Sequence, residues 1–443
     1  MSEKKDASFW IRNSITIKSI IIGLLILILL IPAGMIKRLI QERNSLRNSA
    51  ISEVSYKWGN PQTIAGPIVT IPYKKYYKKD KEIIEEIRYA YFLPEELNVT
   101  GNVYPEERHR GIYKAVVYNT TLNFSGTMHK PDFSDWKVDD RNILWDQATV
   151  SIRIPDMRGI KDVIKVKWNK KEYDVSPGIR YQNHYTGVSS FIDFSDETIY
   201  DFQFNLVLNG SEFLNFIPLG KQTNVNLSSD WANPSFDGAF LPNDHDINEQ
   251  GFKAYWKVLH LNRSYPQQWI GDSYDINASS FGVKLLLPVD HYQKSLRSAK
   301  YAIMFISLTF LIFFFTEILN KKRIHPIQYL LVGLGLSIFY TLLVSLSEHL
   351  SFNLAYLIAS FSIIALITAY SYSMLKNTWL TVIVAFVLVV LYVFLFTILQ
   401  LQDYSLLLGS IGLFVALAIV MYLSRKVNWY ANLNSEEDSD VVS

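Results

Sequence analysis

The apolar residues of this 443-residue chain are gathered into one run near its start and five near its end. The first is Ser19–Ile36, with IIGLLILILLIPAGMI at its centre. The others are about Tyr301–Leu319, Ile327–Leu346, Leu354–Leu375, Trp379–Leu399 and Ser405–Leu423, each of 19–22 residues. At ~1.5 Å of rise per residue such a run crosses a ~30 Å hydrocarbon core, and a buried soluble helix rarely stays apolar all round for that long. Six transmembrane helices are expected. Overall 49% of the residues are hydrophobic and 19% charged, which excludes a disordered chain. The net charge of +2 supplies no field for nucleic acid. With no cysteine, disulfide scaffolds, thiolate metal sites and cysteine nucleophiles are excluded.

The first run has a basic lead of Lys4, Lys5, Arg12 and Lys18, as a cleaved signal peptide would. Its apolar stretch is long for a signal, however, and no clean small-x-small site follows. Leu39, Ile40, Leu46, Ala50, Val54 and Trp58 continue from it near helical spacing, so an uncleaved anchor is expected. Lys321-Lys322-Arg323, Lys376 and Arg425-Lys426 fall in alternate loops, opposite Glu348-His349 and Gln402-Asp403. The positive-inside rule then places both termini in the cytoplasm, with Arg38, Arg43 and Arg47 as exceptions. The expected organisation is a cytoplasmic N-terminus (1–18), an anchor (19–36) and a large extracytoplasmic domain (37–298). A five-helix bundle (299–424) and a cytoplasmic acidic tail (425–443) follow.

Within 37–298 the texture is β. Ile68–Tyr73, Ile87–Leu93, Tyr113–Phe124, Thr149–Ile154, Val163–Trp168 and Tyr200–Leu208 are rich in Val, Ile, Thr, Tyr and Phe and bounded by Gly, Pro, Asn and Asp. Residues 163–175 read as a hairpin about Asn169-Lys170. The fold class expected is a polytopic α-helical membrane protein with a β-rich, sandwich-like domain inserted after the first helix.

Three ordered blocks carry a family resemblance. The first is Trp58-Gly59-Asn60-Pro61-Gln62 with Gly66-Pro67 and Pro72-Tyr73. The second runs from Trp231 through Pro234, Ser235, Phe236 and Gly238 to Pro242, with Gly251–Trp256 and Asn262-Arg263 after it. The third includes Lys300-Tyr301, Glu317, His325–Gly333 and Leu346–His349. Together they resemble the CreD family of bacterial inner-membrane proteins, end to end. The resemblance implies a role in cell envelope integrity, a link to a two-component regulon, and altered tolerance of colicins and β-lactams. It implies no catalytic residue.

Taken as residues, Gly59, Gly66, Pro67 and Pro72 are turn chemistry where the chain leaves the first helix, with Gln62 able to hydrogen-bond such a turn. Trp231–Pro242 reads as a rigid, packed loop, and Ser235 lacks the G-x-S-x-G context of a nucleophile. Asp244-His245-Asp246 reads as an exposed loop without metal-ligand spacing, so no metal and no cofactor is expected. Seven N-x-S/T sequons, at Asn98, Asn119, Asn123, Asn209, Asn226, Asn262 and Asn277, mark glycosylation only in a secretory-pathway protein, and Asn123 falls within an apparent strand.

In the third span Ser337, Thr341, Ser345 and Glu348 stand at i, i+4, i+8 and i+11, with Gly333 before them and His349 after. Such a stripe faces other helices, either as packing or as a path ending at Glu348-His349. Glu317 is expected to pair with Lys321, four residues on. Two functional classes follow. One is a non-enzymatic scaffold, sensor or partner-binding module, whose partners are the lipid bilayer and an envelope protein or cell-wall component. The other is a transporter or membrane enzyme using the stripe.

Overall fold

Helix α1 (Ile15–Trp58) runs unbroken for 44 residues in the computed structural model, which describes residues 15–79, 82–181, 185–194, 197–271, 274–287, 291–320, 322–401, 404–425 and 427. The periodic apolar positions after the first run thus extend the same helix. At ~1.5 Å per residue it is about 66 Å long, roughly twice a hydrocarbon core. The chain forms two compact units, Met1–Leu46 with Val289–Ser443, and Arg47–Pro288. Lys4, Lys5, Arg12, Lys321, Gln402, Asp403, Lys426 and the acidic residues 436–440 lie outside the described residues.

In the helical unit α1 is joined by α2 (His291–Lys300), α3 (Ala302–Leu319), α4 (Pro326–Ser347), α5 (Phe352–Leu375), α6 (Thr378–Gln400) and α7 (Ser405–Ser424). Six of these, all but α2, are long and apolar enough to span a membrane among the described residues. Proline at the first position of α4 costs nothing there, because that N–H has no intrahelical partner. His325 caps the same turn by accepting from the Ile327 N–H. The bundle's interior is aromatic: Phe339 packs edge-on against Tyr392 (4.8 Å), Tyr340 (5.0 Å) and Tyr356 (5.5 Å). The Tyr356 hydroxyl donates to the Tyr392 carbonyl at 2.6 Å. Outside stand Leu24, Ile31, Leu357, Phe361, Phe386 and Phe414, all exposed. Apolar residues around the rim of a helix bundle suit a lipid solvent, not water.

The other unit holds two sheets. Its strands are β1 (Gln62–Lys79), β2 (Glu82–Phe92), β3 (Glu96–Arg110), β4 (Tyr113–His129), β5 (Thr149–Arg153) and β6 (Lys165–Trp168). There follow β7 (Lys171–Asp174), β8 (Ser176–Pro177), β9 (Gly187–Phe191), β10 (Ile199–Ser211), β11 (Phe213–Phe216) and β12 (Gln222–Ser229). The last are β13 (Pro234–Gly238), β14 (Asp244–Asn248), β15 (Gly251–Leu259), β16 (Gln268–Ile270) and β17 (Phe281–Leu285). One sheet has the order β13-β17-β11-β1-β5-β9-β8, with β2 on β1 and β16 on β2. The other has the order β14-β15-β12-β3-β4-β10-β6-β7.

Alternation explains how they pack. Along β10, Tyr200, Phe202, Phe204 and Leu206 point inward, and Asp201, Gln203 and Asn205 outward. Both sheets contribute to one core, in which Phe124 stacks on Phe204 at 4.7 Å and Trp256 is fully buried. That shared core is what a sandwich-like domain without disulfides has to rely on. The same alternation accounts for several sequons. Asn98-Val-Thr, Asn123-Phe-Ser and Asn226-Leu-Ser are polar-apolar-polar triplets of half-exposed strands β3, β4 and β12.

All six expected β segments fall on strands, and β6–β7 is the expected hairpin, with Asn169 at φ 50° in its turn. Three local readings change. Gly66, Pro67 and Pro72 lie inside β1, not in a turn; the register shifts between Ala65 and Ile68, at the Gly66-Pro67 cis peptide. The Trp231–Pro242 loop contains an edge strand, β13, with proline as its first residue, a position where a missing ladder N–H is easily borne. Asp244-His245-Asp246 is also a strand, β14, paired with β15.

Candidate functional site

The residues singled out in the β unit form joints. Trp58 ends α1, and its indole Nε1 donates to the Tyr118 carbonyl at 3.2 Å while the Arg108 guanidinium lies 4.1 Å over the ring. The chain then turns at Gly59 (φ 152°), where a Cβ would stand 2.7 Å from the Asn209 carbonyl oxygen. Gln62, fully buried, donates through Nε2 to the carbonyls of Asp156 (2.9 Å) and Asn209 (3.3 Å), and its Oε1 accepts from the Asp156 N–H (3.3 Å). Asp156 in turn accepts from the Asn60 N–H at 2.9 Å and from Arg158 Nε and Nη2 at 2.9 and 2.8 Å. The expected turn-bonding role of Gln62 is thus present and larger than expected, tying β1 to segments about 90 and 150 residues away.

Arg263 does the same elsewhere, donating to the carbonyls of Tyr265 (2.8 Å) and Leu219 (3.2 Å), and Tyr265, its hydroxyl pushed up to about 12 by burial, donates to Pro218 at 3.0 Å. Trp231 Nε1 donates to the Asn233 and Leu286 carbonyls, both at 3.2 Å. Phe236 packs edge-on to Trp256, Tyr73 is core, and Ser235 is paired in β13 opposite Lys284. Gly238 (φ 101°) fits where a Cβ would meet the Ser280 carbonyl oxygen at 2.3 Å. Among the described residues no three His, Asp or Glu side chains are grouped to hold a metal.

The Asp156–Arg158 pair gives a pH prediction. The Arg158 guanidinium holds the Asp156 carboxyl below its usual range. A depressed folded value adds stability above the unfolded carboxylate pKa of about 3.9, and that stability is lost as pH falls through the folded value. The wild-type melting temperature is therefore expected to fall more steeply below about pH 4 than that of Asp156→Asn, which starts lower at neutral pH. Parallel slopes in a melting series would contradict this.

In the helical unit the stripe separates. Ser337 is buried and its hydroxyl donates back to the Gly333 carbonyl at 3.0 Å, but Thr341, Ser345 and His349 are exposed. The reason is geometric. At ~100° per residue, a spacing of four advances ~40° around the helix, so after eight residues Ser345 has turned ~80° away from Ser337. Glu348, eleven residues on, comes back to within ~20°. It accepts from the Tyr292 hydroxyl at 2.9 Å, and Arg43 Nε stands 4.0 Å from the same oxygen. Of the five stripe residues, the structure thus brings only Ser337 into the packed interior, and places Glu348 at the helix end in a polar cluster.

The polar centre of the bundle is Glu317, 2% exposed. The expected partner, Lys321, lies outside the described residues; the bond observed comes from α1, where Lys18 Nζ donates to Oε1 at 2.5 Å. The Ile324 N–H donates to the same oxygen at 3.1 Å and the Tyr329 hydroxyl to Oε2 at 3.0 Å. One carboxylate therefore joins α1, the end of α3, the following loop and the start of α4. The sequence signals for it were a lone acid in an apolar run and a lysine at the edge of another, with no spacing to link them.

With this architecture in view, two comparisons agree. The family model described as "Inner membrane protein CreD" matches residues 14–430. The Inner membrane protein CreD of Escherichia coli (strain K12) is 33% identical over 414 residues, covering 92% of both chains. Six apolar helices, one before and five after a two-sheet β domain, and a match over nearly the whole length lead to one conclusion: the chain belongs to the CreD family and is a multi-pass inner-membrane protein.

Proposed function

We propose that this protein supports cell envelope integrity as a non-enzymatic scaffold, sensor or partner-binding module, with its β domain outside the cytoplasm, both termini inside, and its production under two-component control. The observation that carries this reading is how the polar side chains are used. Gln62, Asp156 and Arg263 hold backbone groups in place, and Glu317 is taken up by Lys18, Tyr329 and the Ile324 N–H. Those side chains are occupied in holding the fold, and of the stripe that a transport path along α4 would use only Ser337 is buried in the bundle.

The experiment combines location with function. Reporter fusions at Asn320 and Ser424 are expected to read cytoplasmic, and one at Asp403 outside. Cells producing Glu348→Gln with His349→Ala, at an unchanged level of protein, are expected to keep the envelope phenotype of wild type. A cytoplasmic signal at Asp403 would sink the topology. Loss of the phenotype with the protein still present would favour a transporter or membrane enzyme ending at Glu348-His349.

A further inference from the structure

The outward face of the eight-stranded sheet is built from carboxamides. Registered pairing places Asn98, Asn102, Asn123, Asn205, Asn224 and Asn226 on that one face, across β3, β4, β10 and β12. Asparagine is among the poorer strand formers, and a solvated strand face is better served by Thr or another β-branched residue. Six such positions on one face cost the sheet strand propensity and add nothing to its hydrophobic core.

The face is also organised. Asn224 Nδ2 donates to Asn98 Oδ1 at 2.8 Å, the Tyr255 hydroxyl donates to Asn224 Oδ1 at 3.2 Å, and Ser228 donates to Asn102. The carboxamides of Asn123 on β4 and Asn226 on β12, which flank Thr100 of β3 in register, make no side-chain hydrogen bond among the described residues. Edge strand β14 borders an open groove of about 500 Å³, with Asp244, Asp246 and the Tyr255 ring on its side of the sheet, while the His245 ring turns to the other face and packs on Phe236. A second hollow of about 350 Å³ continues it along Asn102, Ser228 and Lys253. The size is that of a ligand site.

Charge and chemistry select the ligand. Asp244, Asp246 and Lys253 line the groove, Asp246 opposite Lys253 across the β14–β15 pair, and among the described lining residues no cluster of cations recruits phosphate or an acidic polymer. The lining mixes amide and hydroxyl groups with carbon surface, the Tyr255 ring included, which suits a sugar, apolar on its ring faces and polar at its edges, better than a lipid chain. A carboxamide carries a donor and an acceptor together, and so does an acetamido group, so the two bond in both senses. Strands ~4.8 Å apart and outward positions two residues apart repeat these groups on a grid.

We propose that this groove binds a neutral glycan strand of N-acetylhexosamine units. This rests on the partner-binding reading above and names its ligand class; an extracytoplasmic domain would meet such a strand in the cell wall. The poor strand formers are kept because the groove needs their carboxamides.

The test uses full-length protein in detergent, titrated by calorimetry with chitopentaose, the β-1,4-linked N-acetylglucosamine pentamer. Saturable binding is expected, at least tenfold tighter than that of cellopentaose, which has the same β-1,4 linkage and number of sugars and no acetamido groups. Asn123→Thr and Asn226→Thr should each weaken it about fivefold or more while the melting temperature stays level or rises. Lys167→Ala, on β6 beyond the groove, should leave binding unchanged. No saturable chitopentaose binding by folded wild type, equal binding of cellopentaose, or full binding by the Asn123→Thr/Asn226→Thr double variant would each overturn the proposal. Location is read separately by the reporter fusions, so a misplaced domain and a non-binding groove give different results.

Discussion

Lys18→Met is expected to loosen the helical unit more than any other single change to its polar groups. It removes the cation from a carboxylate that is 2% exposed, leaving Glu317 charged in a low-dielectric interior with only the Tyr329 hydroxyl and the Ile324 N–H as partners. Breaking a buried pair from one side costs about 3–5 kcal/mol; Lys18 is 30% exposed, so about 2–4 kcal/mol is expected here. Replacing both partners should be milder, because no uncompensated charge then remains. Lys18→Met combined with Glu317→Gln should recover most of the loss in a thermal melt of detergent-solubilised protein. If Lys18→Met lowers the melting temperature equally in the wild-type and Glu317→Gln backgrounds, the two residues are uncoupled and the joint does not exist in solution.

The second large effect is steric. At Gly333 an added Cβ would stand 2.2 Å from Leu29 Cδ1 and 3.0 Å from Phe310 Cζ, so α1 and α3 both close on this point of α4. Gly333→Leu should cost about 1–3 kcal/mol or more, the usual range for overpacking, with α1 displaced from the bundle. Ser337→Ala should cost little, because its hydroxyl bonds only to the Gly333 carbonyl of its own helix. Ser337→Leu should be closer to Gly333→Leu, because position 337 is 4% exposed. Since the clash at Gly333 is with the end of a flexible side chain, Leu29→Ala should restore part of what Gly333→Leu loses. Near-wild-type stability of Gly333→Leu, or no rescue by Leu29→Ala, would show that α1 does not pack there.

Both predictions depend on contacts that run between segments far apart in the chain. What the amino-acid sequence determines by itself is whatever a periodic or local signal can carry. Unbroken apolar runs of 19–22 residues specify spans, because length against bilayer thickness needs no partner. Period-two patterns such as Tyr200–Leu208 specify strands, and Asn169-Lys170 a hairpin, for the same reason. Family membership is legible too, being carried by ordered motifs along the whole chain.

The tertiary structure decided which groups meet. Glu317 had a local candidate in Lys321, and only the folded bundle brings Lys18 to it across 299 residues. Gln62 was legible as a turn residue, but its bonds to Asp156 and Asn209 exist only once β1 lies against them. The Ser337–Ser345 stripe failed because a spacing of four drifts around a helix with 3.6 residues per turn, and the sequence does not say where the buried face is centred. The sequons show another limit: each Asn is visible in the sequence, yet that Asn98, Asn123 and Asn226 share one face follows from strand register, which pairs β3 in parallel with β12 across 126 positions. Pairing at that range is set by the fit of a whole hydrophobic core, a property of all the strands together and of no segment alone.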